Sequence, residues 1–156
     1  MSPITPFLWF DGRAEEAMQF YTAIFPNSRI LSLSRAGAAG PVISGTFELA
    51  GRPFMALNGG PTYQFTPAIS LFVSCRTQAE IDDYWDRLLA GGGEPTRCGW
   101  LKDRFGLSWQ VVPTVLGRLL GDPDREKAGR AMQAMLQMVK LDIAALERAF
   151  EGRQDA

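Results

Sequence analysis

"AEEAMQFYTAIF", Ala14 to Phe25, returns in altered form as "QAEIDDYWDRLL", Gln78 to Leu89, at a constant offset of 64 residues. Ala17 corresponds to Ile81, Phe20 to Tyr84, Tyr21 to Trp85 and Ile24 to Leu88. Positions i, i+3, i+4 and i+7 share one face of an α-helix, so both stretches predict an amphipathic helix with an aromatic pair on its apolar stripe. The same offset lays "ITPFLWF" (Ile4–Phe10) over "AISLFVS" (Ala68–Ser74). Both are rich in the aromatic and β-branched residues that favour strands. After each helix a loop, "PNSR" or "AGGGEP", leads to three more short strand patterns. In the first copy these are Arg29–Ala36, Val42–Leu49 and Pro53–Asn58; in the second, Pro95–Cys98, Trp100–Lys102 and Leu107–Val112. "AGAAGP", "AGR" and "DRFG" mark the turns. Each copy reads strand, helix, strand, strand, strand.

Two such copies predict an α+β fold: paired βαβββ modules forming one curved sheet, helices outside, a concave cleft inside. The modules span about 1–61 and 67–113, giving a domain over 1–113. "LNGGPTYQF" (Leu57–Phe65) joins them, and its Gly59 and Gly60 predict a flexible crossing. It is no phosphate loop, since no lysine follows and no helix opens there. Residues 114–156 read as a helical extension. Thr114 is placed to cap a short helix through Leu120. Asp124 opens a second helix, with Met132, Met135, Leu136 and Val139 on one stripe. Asp142 caps a third, carrying Ile143, Leu146 and Phe150. The methionine stripe fits packing on its own domain or on a partner subunit equally well.

The chain has 156 residues, 46% hydrophobic and 21% charged, enough for a substantial core. Its 16 Lys and Arg are scattered among 17 Asp and Glu, with no basic patch, which argues against nucleic-acid binding. No apolar run approaches the ~20 residues of a membrane span. "MSPITPFLWFDG" has no basic segment ahead of its apolar run and does not read as a signal peptide. A cytoplasmic protein is expected, with Cys75 and Cys98 as reduced, mostly buried thiols. There is no histidine. That removes the commonest general base near neutral pH and the usual imidazole metal ligand.

"GWLKDRFGLSWQVVP", Gly99 to Pro113, reads as the last hairpin of the second module. Lys102, Asp103 and Arg104 are expected in a solvated turn whose geometry Asp103 sets. Alternation places Ser108 and Gln110 on one face and Trp109 and Val111 on the other. Likewise Ala68, Ser70 and Phe72 share a face, while Leu71 and Val73 turn to the helix. Cys98 reads as an inert core residue, and Glu15 and Glu16 as partners of a helix dipole.

"ITPFLWFDGRAEEAMQFYTAIFPNS", "CGWLKDRFGLSWQVVP" and "AMLQMVKLDIAALERAF" together resemble the PhnB-like proteins. That family carries the label 3-demethylubiquinone-9 3-methyltransferase and belongs to the glyoxalase/bleomycin-resistance, or vicinal oxygen chelate, superfamily. The resemblance covers nearly the whole chain. It implies paired βαβββ modules around a cleft, usually in a homodimer. It also implies one divalent metal, held by the first and last strands of each module. Carried over residue by residue, those positions are Ile4, Asn58, Ala68 and Gln110. Two are apolar and two are neutral carboxamides, so no metal site and no cofactor are expected. The label's methyltransferase chemistry finds no nucleotide-binding βαβ pattern here.

The expected function is binding of a small organic molecule in a metal-free cleft lined by Asn58, Ala68, Ser70, Phe72, Ser108 and Gln110. The alternative is an enzyme of the same superfamily, an isomerase, lyase or transferase, drawing on Asp103, Glu48, Tyr63 or a cation from another subunit. A third possibility is a filled cleft and a role in subunit association through the tail. Neither nucleic acid nor membrane is expected as a partner.

Overall fold

Both repeated stretches are helices, and each lies against its own four-stranded sheet. The computed structural model describes residues 3–153, and the chain divides at Gln64/Phe65 into two units. The first contains β1 (Phe7–Phe10), α1 (Ala14–Ile24), β2 (Arg29–Arg35), β3 (Val42–Leu49) and β4 (Arg52–Asn58). The second contains β5 (Ser70–Cys75), α2 (Gln78–Leu89), β6 (Glu94–Pro95), β7 (Trp100–Lys102) and β8 (Ser108–Pro113). It continues through α3 (Thr114–Leu120), α4 (Arg125–Leu136) and α5 (Ile143–Glu151). The strand orders are β1-β4-β3-β2 and β5-β8-β7-β6. In each sheet the first and last strands are parallel and the remaining pairs antiparallel. The βαβββ reading therefore holds in both halves.

In the first unit α1 buries Ala14, Ala17, Met18, Tyr21 and Ile24; of the predicted stripe, Ala17, Tyr21 and Ile24 are buried and Phe20 is half-buried. The sheet answers with buried Leu8, Phe10, Phe47, Phe54 and Ala56, and the rings of Phe47 and Phe54 stack at 5.4 Å. Full burial of a large apolar side chain contributes about 1.5–3 kcal/mol, so Met18, Tyr21 and Phe47 anchor this layer. Gly45 is required by close approach: a Cβ there would stand 2.9 Å from the Met18 Cε. The β3–β4 turn is two residues, Ala50 and Gly51, with φ of 50° and 79°. Such left-handed pairs match the twist of a hairpin.

In the second unit α2 buries Ile81, Trp85 and Leu88. Cys75, Leu101, Trp109 and Val111 are the buried residues of its sheet on the matching alternation. Thr77 caps α2 by accepting from the Glu80 N–H, and the Glu80 carboxylate accepts from Arg76 N–H in return. The extension shares this unit's interior. Val112 at the end of β8 clusters with Leu116, Leu119, Ala131, Leu141 and Leu146. Backbone bonds from Cys98 N–H to Met138 O (2.9 Å) and Gly99 N–H to Val139 O (2.8 Å) stitch the tail to the sheet. Gln78 holds it again, donating to Leu141 O and accepting from Ile143 N–H. Asp124 and Asp142 cap α4 and α5 as expected. The methionine stripe divides: Met135 packs against the cluster, while Met132, Leu136 and Val139 stay exposed.

Several expectations are corrected. Thr114 does not cap α3; it is the first helical residue, after Pro113, and makes no side-chain cap bond. The strand expected over Pro95–Cys98 stops at Pro95 because Trp100 N–H bonds Arg97 O in a turn and Cys98 sits at φ 55°. Gly59 and Gly60 do not make a loose crossing. Gly59 N–H bonds Phe10 O, the Trp9 indole donates to Gly60 O, and a Cβ on Gly59 would meet that indole at 2.3 Å. Gly59 permits close packing, and Gly60 takes a positive φ of 93°. Asp103 is not solvated either; it is 3% exposed.

Candidate functional site

The open face of the second sheet is a small grid set by pairing. Ser70 faces Ser108, which faces Lys102 on the next strand. One rung along, Phe72 faces Gln110, which faces Trp100. Directly paired residues project to the same side of a sheet, so these six side chains share one surface. Phe72 is 59% exposed, and Gln110, Ser70, Lys102 and Trp100 are half-buried.

Gln110 spends one end of its amide on this grid, its Nε2 donating to Ser70 Oγ at 3.0 Å. Its Oε1 makes no hydrogen bond among the described residues. Ser108 Oγ is fully buried and likewise lacks a partner among the described residues. Buried polar atoms are nearly always bonded, so this unmet hydroxyl calls for a reason. Beside Trp100 lies a shallow depression of about 530 Å³, lined also by Pro67, Thr96, Arg97 and Cys98.

The rigidity of this face comes from the turn that feeds it. Asp103 Oδ1 accepts from the Phe105 and Leu107 N–H groups, and Oδ2 accepts from the Trp109 indole at 2.9 Å. Trp109 thereby holds β8 by its opposite face, which fixes Ser108 and Gln110 on the open one. Asp103 is a positioning residue of the hairpin, with both oxygens committed.

The other expected site residues lie elsewhere. Asn58 shares the alternation of Phe54 and Ala56, the face packed on α1. Its Oδ1 accepts from Ala14 N–H at the start of α1 (2.9 Å) and its Nδ2 donates to Val42 O (3.0 Å). Ala68 is exposed and precedes β5, its N–H bonded to Thr66 Oγ1. Ile4 precedes β1 and is 82% exposed. Glu48 pairs with Arg29 at 2.9 Å, and Tyr63 packs edge-on against Trp9 at 4.9 Å.

The donor chemistry at these positions does not fit a divalent cation. Ile4 and Ala68 offer no ligand atom, the Asn58 oxygen already accepts a backbone proton, and Gln110 is neutral. Among the described residues no three His, Cys, Asp or Glu side chains come together in a way that could hold an ion. Trp100 and Lys102 were not among the expected site residues, yet the register places them beside Gln110 and Ser108. The loop between these strands is five residues, Asp103–Leu107, one longer than "DRFG"; counting outward from the four alone would pair Trp100 with Trp109, on the other face.

A family model described as 3-demethylubiquinone-9 3-methyltransferase matches residues 2–112, ending before α3. The chain is 39% identical to a putative 3-demethylubiquinone-9 3-methyltransferase, PhnB protein, from Bacillus cereus, with 72% of this chain and 100% of that one covered and a TM-score of 0.67. A protein from Pseudomonas aeruginosa matches at 20% identity, 72% and 98% coverage and a TM-score of 0.60. The fosfomycin resistance protein FosX from Listeria monocytogenes, solved with Mn(II) and sulfate, matches at 17% identity, 70% and 89% coverage and a TM-score of 0.51. At that identity FosX speaks to the fold alone. No curated protein matches the chain. With two βαβββ units, a family match over most of its length and a PhnB relative at 39% identity, the chain belongs to the PhnB-like family labelled 3-demethylubiquinone-9 3-methyltransferase.

Proposed function

We propose that this protein binds a small organic molecule, without a metal, on the open face formed by β5, β8 and β7. Gln110 carries the reading. One end of its amide is anchored by Ser70 and the other is unspent, which orients a free acceptor over the sheet. A pre-fixed polar group amid aromatic surface is how small-ligand sites gain both orientation and affinity. Ser70 and Phe72 complete the surface, Ser108 lies buried between Ser70 and Lys102, and Trp100 extends the surface towards the depression. Asn58 contributes to stability rather than contact, since both ends of its amide serve its own unit.

The setting proposed is a cytoplasmic homodimer. Exposed Phe7 and Ile43 supply apolar surface for association, and both cysteines are free, as a reducing compartment keeps them. No described helix is long and apolar enough to cross a membrane.

The test is a thermal-shift screen of small organic acids, phenols and heterocycles in excess chelator, run on the native protein and on Gln110→Leu. A ligand at 100 times its Kd stabilises by about 2.7 kcal/mol, a readily measured shift in Tm. The expected result is stabilisation that needs no metal and is lost in Gln110→Leu. Stabilisation only after a divalent cation is restored, or undiminished in the variant, would overturn the proposal.

A further inference from the structure

The geometry points to the chemical class of the ligand: a flat conjugated ring with an O–H or N–H donor at its edge, slotted between Phe72 and Trp100. This inference rests on the site proposed above and narrows it. Phe72 and Trp100 are the two cross-strand neighbours of Gln110, one on β5 and one on β7. Adjacent strands lie about 4.8 Å apart, so these aromatic positions stand two spacings, roughly 9.6 Å, from each other. Each aromatic contact sets ring centroids about 4.5–7 Å apart. One inserted ring therefore makes two such contacts across this gap, whereas the side chains are too far apart to satisfy each other. Phe72 is 59% exposed, apolar surface left uncovered where a ring would cover it.

The floor of the slot is Gln110. One Nε2 hydrogen is given to Ser70, which leaves Oε1 as an acceptor and the second Nε2 hydrogen as a donor. Oε1 is the atom that accepts from a hydroxyl or ring N–H at the edge of the ring. The neighbouring rung carries Ser70 and Lys102, a hydroxyl and an ammonium, for a second polar substituent, while Ser108 between them is buried. A saturated ring is thicker, has no π-face, and gains only its hydrophobic area here.

The matched probes are 2-naphthol and decahydro-2-naphthol, which share a fused bicyclic skeleton and hydroxyl and differ in flatness. Binding is followed by NMR titration of the Gln110 side-chain amide, with affinities from the same titration. 2-Naphthol is expected to shift that amide and to bind about tenfold tighter than its saturated partner. Phe72→Leu and Trp100→Leu are each expected to weaken 2-naphthol about tenfold and to leave decahydro-2-naphthol unchanged. Phe72 is largely exposed, so its variant folds whether or not Trp100→Leu does. Equal affinity for the two probes, or no loss in Phe72→Leu, overturns the stacked-ring assignment. If both probes still move Gln110, the small-molecule site survives that result. If neither probe moves Gln110 and the metal-free screen is also blank, site and ligand class fall together.

Discussion

Asn58 and Gln110 are both carboxamides in the last strand of a βαβββ unit, and they do opposite jobs. Asn58 lies on the helix side of its sheet and spends both ends of its amide inside its unit, on Ala14 N–H and Val42 O. Gln110 lies on the open side and spends one end, on Ser70. The pairing partners differ accordingly: Asn58 is opposite Phe10, which is buried, and Gln110 is opposite Phe72, which is exposed. A side chain in a strand is committed or available according to which face its register gives it, since a shift of one residue reverses the face. The two units differ again at their last hairpins. The first turns on Ala50-Gly51 in left-handed backbone, whereas the second turns on a buried aspartate that binds two backbone N–H groups and an indole.

The contrast breaks most sharply at that aspartate. Asp103→Ala strands two backbone donors and the Trp109 indole, at about 1–3 kcal/mol per buried unsatisfied group. A loss of about 3–5 kcal/mol in urea unfolding is expected, with Asp103→Asn recovering part of it. A loss below about 1 kcal/mol would mean that the second hairpin is no more dependent on its turn than a typical surface site.

Next come the carboxamides themselves. Asn58→Ala removes the acceptor at the start of α1 and a donor to Val42 O, and about 1–2 kcal/mol of stability should go with them. Gln110→Leu should lower the unfolding free energy by no more than about 0.5–1 kcal/mol, since it removes one half-buried bond. Ligand responses should reverse this order: Asn58→Ala keeps the metal-free thermal shift and Gln110→Leu loses it. A large stability loss in Gln110→Leu would erase the distinction.

The smallest effect near neutral pH concerns the cysteines. Burial, with Glu80 nearby, pushes the Cys75 thiol up from 9.0 to about 11. Because the folded state holds this proton more tightly, its contribution to stability is complete below pH 9 and is lost as pH rises towards 11. At pH 8 iodoacetamide should modify the half-buried Cys98 and spare Cys75, as read by peptide mass. Equal modification of both would show that the second unit opens readily around β5.

Much of this fold was legible because helix periodicity and the repeat are local signals. The stripe at Ala17, Tyr21 and Ile24 and its counterpart at Ile81, Trp85 and Leu88 are buried as read. α2 spans Gln78–Leu89, β3 Val42–Leu49 and β7 Trp100–Lys102, all at the expected bounds. The candidate site was legible in part. Alternation set Ser70, Phe72, Ser108 and Gln110 on one face, as the pairing has them. Trp100 was missed because its place beside Gln110 depends on cross-strand register. The role of Asn58 was missed because the start of α1, 44 residues away in sequence, supplies its partner.

By itself, then, the sequence determined the secondary elements and the duplicated βαβββ unit, both properties of residue type and spacing. Only the tertiary structure decided which polar side chains are used up. Asp103 is buried rather than solvated, Gly59 packs rather than flexes, and the tail shares a core with the second unit. Each of those depends on partners distant in the chain, and a hydrogen bond or a close contact exists only once folding has brought both sides of it together.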